Sequence, residues 1–189
     1  MEGMERKLTS KMNIVITKPD FFVGEAKRIS WLLTSGAADI IHIRKPQASL
    51  ADVERLIQEL PAHLYDRLVL HDHHQLALKY HLRGVHLNSR NPEPPAGWGG
   101  AVSISCHSFS DLALARRQPY AYISLSPIFD SISKPGYHSA FTAQQIAQAR
   151  AQGLIDHRVM ALGGVTFSCI EKILEMGFGG AMILGDAWK

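Results

Sequence analysis

The chain has 189 residues, of which 46% are hydrophobic and 20% are charged, and its net charge is +3. These values exclude an intrinsically disordered chain, because there is enough apolar surface to offset the entropy lost on folding. The weak charge argues against nucleic acid or a membrane surface as the main partner, and no apolar run approaches the roughly 20 residues that span a bilayer. Cys106 and Cys169 are far apart, which predicts a cytoplasmic protein without disulfides.

Eight short apolar runs recur along the chain and predict eight β-strands. Several are apolar almost without interruption, which is typical of strands buried on both faces of a parallel sheet. The runs cover residues 12–17, 39–44, 67–71, 84–88, 101–106, 121–126, 158–163 and 180–185.

Most segments between these runs have the spacing of amphipathic helices. Apolar residues recur every three or four positions over residues 22–33, 50–60 and 167–174. Ser49 and Thr142 are each followed three residues later by Asp or Gln, which predicts capped helix starts. Residues 91–99 are too rich in Pro and Gly for a full helix, so we expect a loop there.

This alternation predicts an α/β protein with a (β/α)₈ TIM barrel fold. A doubly wound sheet of five or six strands is the alternative. We expect a flexible leader over residues 1–11 and a single domain over residues 12–189. The chain is shorter than the ~250 residues usual for this fold and ends just after the eighth predicted strand, so the last helix is expected to be missing. Two explanations of the resulting gap between the first and seventh helices stay open: a second copy in a homodimer covers it, or the natural chain extends further.

In a parallel barrel the C-terminal ends of all strands meet at one rim, where the catalytic groups of this fold lie. Glycine turns after the seventh and eighth strands are typical of phosphate-binding loops, and the hydroxyls and ammonium group after the sixth strand suit a phosphate or diphosphate. Asp72 suits Mg²⁺, whereas zinc is not expected because the nearby histidines lack a partner at a suitable spacing. The predicted rim residues include Lys18, Arg44, Lys45, His71, Asp72, Asn88, Arg90, Ser105, His107, Ser126, Gly163, Gly164 and Gly185.

The order of these motifs resembles the thiamine phosphate synthase / TenI family of (β/α)₈ barrels. The resemblance covers roughly residues 12–188, and the segments Gly-Val-His-Leu, Ser-x-His and Ser-Pro-Ile-Phe followed by Lys are together fairly specific. The matching stretches are residues 41–44, 70–78, 84–87, 103–108, 124–134 and 161–165.

The resemblance implies a transferase that joins hydroxymethylpyrimidine diphosphate to thiazole phosphate and releases diphosphate. It implies small phosphorylated substrates, with neither nucleic acid nor a membrane as partner, and Mg²⁺ held by Asp72. Arg44, Lys134 and His107 are the expected catalytic residues. The expected substrate-binding residues are His42, His71, Ser105, Ser131 and Ser133 for the pyrimidine and its diphosphate, and Gly163, Gly164 and Gly185 for the thiazole phosphate.

The chain departs from the family pattern at several of these positions. Family synthases usually have Gln where this chain has His42, and a second magnesium carboxylate in the loop that here contains Arg90 and Asn91. Arg90 would repel the ion or replace part of its charge. Two alternatives therefore stay open: a TenI-like thiazole tautomerase, which would use His107 or His42 because Pro127 occupies the position of the tautomerase histidine, and a non-catalytic barrel that binds a phosphorylated ligand.

Overall fold

The computed structural model describes residues 11–130 and 139–189. Eight parallel strands pair in chain order and close into a barrel, in which β1 pairs with β8. The predicted (β/α)₈ barrel is confirmed, and the alternative of an open doubly wound sheet is wrong. The strands are β1 Met12–Ile16, β2 Ile40–Ile43, β3 Leu68–Leu70, β4 Gly84–Leu87, β5 Ala101–Cys106, β6 Tyr122–Leu125, β7 Val159–Leu162 and β8 Gly180–Ile183.

Helices cover the outside of the barrel after most strands. Within the described part, the connection between β4 and β5 has no helix, as its Pro and Gly content predicted. No helix among the described residues is both long and apolar enough to cross a membrane. The helices are α1 Glu25–Thr34, α2 Leu50–Gln58, α3 Gln75–Lys79, α4 Phe109–Ala115, α5 Ala143–Ala151 and α6 Ile170–Glu175, with 3₁₀ helices at Ala62–Arg67, Phe167–Cys169 and Gly185–Trp188.

The predicted helix starts carry the side-chain caps that their sequence indicates. The Ser49 hydroxyl accepts the backbone N–H of Asp52 at 3.2 Å. Thr142 and Gln145 each accept the other's backbone N–H, at 3.2 and 2.8 Å, and so complete a capping box. These bonds satisfy N–H groups that have no partner inside the helix, and they fix where α2 and α5 begin.

The segment after β8 packs against the start of the chain. The indole Nε1 of Trp188 donates to the carbonyl of Ile16 at 2.8 Å, and its ring meets that of Phe22 edge-on, with centroids 5.7 Å apart. Phe22 is still 37% exposed, and Val23 and Trp31 beside it are exposed as well. The homodimer that would cover such a face stays a prediction.

The inside of the barrel is apolar on one side and polar on the other. The apolar side chains come mainly from β1, β7 and β8, among them Ile14, Ile16, Met160 and Met182, and Ile40 and Val69 join them from β2 and β3. The polar side is formed by residues of strands β2 to β6 and their ends, which are His42, His71, His86, Ser103, Ser105, Tyr122 and Ser124. Buried polar groups need hydrogen-bond partners, so the polar side is where the structure must place a network.

Candidate active site

Three histidines from neighbouring strands meet in the polar half of the barrel. His42 lies on β2, His71 directly follows β3, and His86 lies on β4. Each is at most 5% exposed. Nδ1 of His42 lies 2.8 Å from Nε2 of His71, and the ring of His71 stacks on that of His86 with centroids 4.3 Å apart. The three imidazoles therefore form one packed unit, which we call the histidine cluster.

Hydroxyl groups extend the histidine cluster into a continuous chain of hydrogen bonds. The Tyr122 hydroxyl lies 2.5 Å from Nε2 of His42 and also bonds the hydroxyl of Ser103. Ser103 Oγ lies 2.8 Å from Nδ1 of His86, and Ser105 Oγ lies 2.8 Å from Nε2 of the same ring. Because every ring nitrogen of His42 and His86 has a partner, both side chains are buried without an unsatisfied polar atom.

Burial keeps the histidine cluster in its neutral form. Desolvation lowers the pKa of His42 and His71 well below the ordinary value of 6.5, and it lowers the pKa of His86 to about 3. A neutral imidazole has one donor and one acceptor nitrogen. At neutral pH the cluster therefore acts through hydrogen bonds and adds no positive charge to the site.

The histidine cluster also has the spacing of a metal site, because one ligand atom from each ring lies within 4.8 Å of the others. A bound ion would have to displace the bond between His42 and His71 and one bond from His86 to a serine, so we interpret the cluster as a hydrogen-bonded network. This grouping was not predicted from the sequence, because the three histidines are far apart along the chain. A histidine at each of three consecutive apolar runs was the available signal.

Arg44, the first residue after β2, lies at the predicted rim with its backbone held by Thr17. The Arg44 N–H donates to Thr17 Oγ1 at 2.9 Å, and that hydroxyl donates back to the Arg44 carbonyl at 3.3 Å. The guanidinium bonds no acceptor among the described residues, and its charge helps to lower the pKa of His71. A guanidinium without an internal carboxylate partner is available to bind an anion.

Asp72, two residues beyond β3, is paired with a cation from the next connection. Nε and Nη2 of Arg90 donate to its Oδ1 at 3.1 and 3.0 Å, and Nδ2 of Asn91 donates to the same oxygen at 3.2 Å. Oδ2 is buried and accepts no hydrogen bond within the described part of the chain. The charge of this carboxylate is therefore balanced from inside the chain by Arg90.

The turn that contains Arg90 is fastened to the end of β3. Asn88 Oδ1 accepts the backbone N–H groups of Arg90 and Asn91 at 3.0 and 3.2 Å. The side-chain amides of Asn88 and Asn91 both donate to the carbonyl of His71, at 2.8 and 3.1 Å. Asparagine stabilises turns in this way, and here two asparagines fix the backbone on both sides of the arginine.

Gly163 and Gly164 form a left-handed turn after β7, with φ values of +93° and +65°. A Cβ on Gly163 would lie 2.7 Å from Cα of Pro127, and one on Gly164 would overlap the carbonyl oxygen of Asp130. The close approach of the chain after β6 therefore requires both glycines, a reason that the sequence analysis did not foresee. The N–H of Gly164 donates to no acceptor among the described residues, so it is available to a ligand.

The side chain of Lys45 is held inside the protein by hydrogen bonds and an ion pair. Its Nζ is buried and donates to both carboxylate oxygens of Glu25, at 2.7 and 2.8 Å, and to the carbonyls of Lys18 and Asp20. Burial lowers the pKa of Lys45 and raises that of Glu25, while each charge favours the ionised form of the other. Lys45 was listed among the polar residues of the rim, but its side chain forms an internal ion pair and is not available to an anion.

The remaining predicted site residues have mixed positions. His107 is exposed at the end of β5, with Nδ1 3.1 Å from Ser126 Oγ. Ser105 lies deeper and bonds His86, as described above. Gly185 begins the 3₁₀ helix that follows β8. Ser131, Ser133 and Lys134 lie outside the described residues.

Comparison with known proteins decides the family. The sequence profile of a family described as thiamine monophosphate synthase matches residues 14–185. The chain belongs to the thiamine monophosphate synthase family. Curated relatives include a thiamine-phosphate synthase from Halalkalibacterium halodurans, 29% identical over 75% of this chain and 70% of that protein. Another, from Yersinia pestis, is 28% identical over 85% of this chain and 80% of that protein.

Solved structures give the same relationship. A thiamine phosphate pyrophosphorylase from Bacteroides thetaiotaomicron is 40% identical, with a TM-score of 0.83 over 94% of this chain and 84% of that one. A thiamine phosphate pyrophosphorylase from Pyrococcus furiosus has a TM-score of 0.70 over 95% of this chain and 90% of that one. At 19% identity, the second comparison supports the fold alone.

The residues around Asp72 do not fit the two-carboxylate magnesium site that is expected of the thiamine monophosphate synthase family. Oδ1 of Asp72 already accepts three donors, and the second carboxylate is replaced by Arg90 and Asn91. The guanidinium would repel a divalent cation placed on the same carboxylate. The residues around Asp72 therefore do not support the Mg²⁺ that the family resemblance implies.

Proposed function

We propose that this protein is a cytoplasmic transferase that joins hydroxymethylpyrimidine diphosphate to thiazole phosphate with release of diphosphate. Membership in the thiamine monophosphate synthase family supports the substrate class. The observation that carries the proposal concerns Arg44, at the end of β2. Its guanidinium bonds no acceptor among the described residues. It provides the chain with a cation for the leaving group.

The reaction breaks the bond between the pyrimidine methylene carbon and the diphosphate oxygen, and the electron pair leaves with the oxygen. The thiazole nitrogen then forms the new bond to the methylene carbon. Negative charge grows on the diphosphate as the first bond breaks, so a fixed cation stabilises the transition state more than the ground state. Arg44 supplies this charge from a backbone that Thr17 holds in place.

The histidine cluster forms the neutral floor of the proposed site. His71 is the most exposed member of the cluster, although only 5% of it is accessible. His42 is fully buried and has both ring nitrogens engaged, so it orients His71 through their shared bond and does not itself reach the substrate. Neutral imidazoles do not repel the pyrimidine cation that forms when diphosphate departs. They can also form hydrogen bonds with the polar pyrimidine ring.

The glycine turn after β7 is the proposed site for the thiazole phosphate. The N–H of Gly164 is available there. The 3₁₀ helix Phe167–Cys169 begins three residues later, and its first N–H donates to Asp186. Backbone N–H groups in a glycine turn bind phosphate without a side-chain cation. Gly185 follows the adjacent strand β8, and we assign it to the same phosphate site.

The test is formation of thiamine phosphate from both substrates at high enzyme concentration, followed by chromatography. We expect product from the natural chain and a loss in kcat of about 10²- to 10³-fold in Arg44→Ala, the usual effect of removing one group that stabilises transition-state charge. Arg55→Ala is the matched control, because Arg55 is an exposed arginine on α2. Absence of product from the natural chain would overturn the proposal and favour a barrel that only binds phosphorylated ligands.

A thiazole tautomerase is the second candidate, favoured by the exposed imidazole of His107 at the end of β5. Its Nδ1 lies near Ser126, and its Nε2 bonds no described residue, so it is free to move a proton. Turnover of the thiazole carboxylate phosphate tautomer would support this candidate. Equal turnover by His107→Ala would exclude His107 as the proton carrier.

A further inference from the structure

We propose that Arg90 takes the place of a divalent cation, so that this chain binds the diphosphate group of its substrate without a metal. This inference rests on the proposed function and assigns Arg90 to the same site. Its structural basis is the ion pair in which Arg90 Nε and Nη2 both contact Oδ1 of Asp72, at 3.1 and 3.0 Å.

The charges of the two arrangements are equal. Two carboxylates and one Mg²⁺ sum to zero, and so do the single carboxylate of Asp72 and the guanidinium of Arg90. Replacing the second carboxylate by an arginine therefore keeps the electrostatic balance only if the ion is absent. With Mg²⁺ added, the Asp72 site would hold a net charge of +2 and two cations that repel each other.

Neighbouring residues hold both the backbone and the side chain of Arg90 in place. Asn88 bonds the backbone N–H of Arg90, and Asn91 donates to the same carboxylate oxygen that Arg90 contacts. Both asparagines are bonded to the carbonyl of His71. A cation whose position is fixed before the substrate arrives loses little conformational entropy on binding.

Arg90 has binding capacity left after it has paired with Asp72. Its Nη1 makes no bond to a described residue, and its side chain is 44% exposed. Guanidinium groups bind phosphate oxygens with paired N–H donors. Arg44 follows β2 and Asp72 follows the adjacent strand β3, so the two arginines are placed to hold one diphosphate between them.

Calorimetric titration with inorganic diphosphate tests the inference, in buffer with EDTA and in buffer with Mg²⁺. We expect the natural chain to bind diphosphate in EDTA, and Arg90→Ala to bind it about 10- to 100-fold more weakly, the loss of a charge-assisted contact. Arg90→Lys retains the charge and should lose less. Arg55→Ala, which breaks the exposed pair with Asp52, should bind like the natural chain.

A second variant tests the exchange of arginine for metal. Arg90→Asp restores a second carboxylate beside Asp72, so we expect its diphosphate binding to be lost in EDTA and recovered with Mg²⁺. Because Mg²⁺ also binds free diphosphate, the ratio between variants in one buffer is the quantity to compare. Circular dichroism of each variant confirms that it is folded.

Three results would overturn the inference: binding by the natural chain only with Mg²⁺, equal binding by Arg90→Ala and the natural chain in EDTA, or no binding under any condition. The proposed function fails separately. Metal-free diphosphate binding that depends on Arg90, without formation of thiamine phosphate, would leave the inference standing and remove the synthase reaction. Thiamine phosphate formation that strictly requires Mg²⁺ would support the synthase reaction and overturn the inference about Arg90.

Discussion

His42 and His71 share a hydrogen bond of 2.8 Å between Nδ1 and Nε2, although they lie on the ends of different strands and 29 residues apart. The bond needs one proton between two nitrogens, so at least one of the rings must be unprotonated. Desolvation also lowers the pKa of both rings well below 6.5. The inside of the barrel is thus built to hold neutral imidazoles, and acid should disrupt it.

The first prediction follows from this as a pH dependence of stability. The unfolded imidazoles take up protons near pH 6.5, whereas the folded cluster, in which the pKa of His86 is about 3, does not. The unfolded state therefore binds more protons below pH 6.5, and the free energy of unfolding falls as the pH falls, by up to about 1.4 kcal/mol per pH unit for each histidine. Above roughly pH 7 the cluster adds no pH dependence.

Urea unfolding between about pH 7 and about pH 5 measures this effect. His86→Gln should have a shallower dependence on pH than the natural chain, and His63→Gln, at an exposed position, should not change it. A free energy of unfolding that stays constant over this range would contradict the neutral cluster.

The second prediction concerns the Tyr122 hydroxyl, which joins His42 to Ser103 in the hydrogen-bond network. Tyr122→Phe removes the partner of His42 Nε2 and of the Ser103 hydroxyl without changing the ring. We expect a loss of about 1–3 kcal/mol in the free energy of unfolding, because buried polar atoms are left unsatisfied. Tyr120→Phe is the matched control, since the Tyr120 hydroxyl bonds no described residue, and an equal loss in both variants would argue against the network.

The third prediction separates close packing from backbone strain at glycine. Gly153 and Gly164 both have positive φ, at +69° and +65°, but only at Gly164 would a Cβ meet other atoms. Gly153→Ala should cost about 1 kcal/mol of strain. Gly164→Ala should cost roughly 1–3 kcal/mol more because the chain after β6 must move. Thermal unfolding of the two variants compares these costs, and similar values would show that the turn is not tightly packed.

The fourth prediction concerns the buried pair of Lys45 and Glu25. Lys45→Met leaves the carboxylate of Glu25 buried without its cation and should destabilise the fold by about 3–5 kcal/mol. The double variant Glu25→Gln with Lys45→Met removes both charges and should recover much of the loss. Chemical unfolding of both variants tests the prediction. A mild effect of Lys45→Met on stability would mean that Lys45 is free at the rim after all.

The architecture could be predicted from the sequence because its signals are local. Each strand is a short apolar run, and all eight lie within two residues of their predicted ends. The caps at Ser49 and Thr142 depend on residues three positions apart, and the structure has both. Such features do not require knowledge of which distant segments meet.

The site was harder to predict because its contacts join distant strands. The network through His42, Tyr122 and His86 exists only once β2, β4 and β6 lie around one interior. Lys45 was misplaced because its partner, Glu25, comes from the segment before it and is not evident from spacing. The positive charge of Arg90 near the expected metal site was evident from the sequence. Its ion pair with Asp72 was not.

A crystal structure of the protein with bound diphosphate would decide whether Arg44 and Arg90 form one anion site at the mouth of the barrel. We expect phosphate oxygens within hydrogen-bond distance of both guanidinium groups, in crystals grown with EDTA. Diphosphate bound elsewhere instead, such as in the cavity between α5 and α6 that Arg150 and Lys172 line, would contradict this shared site.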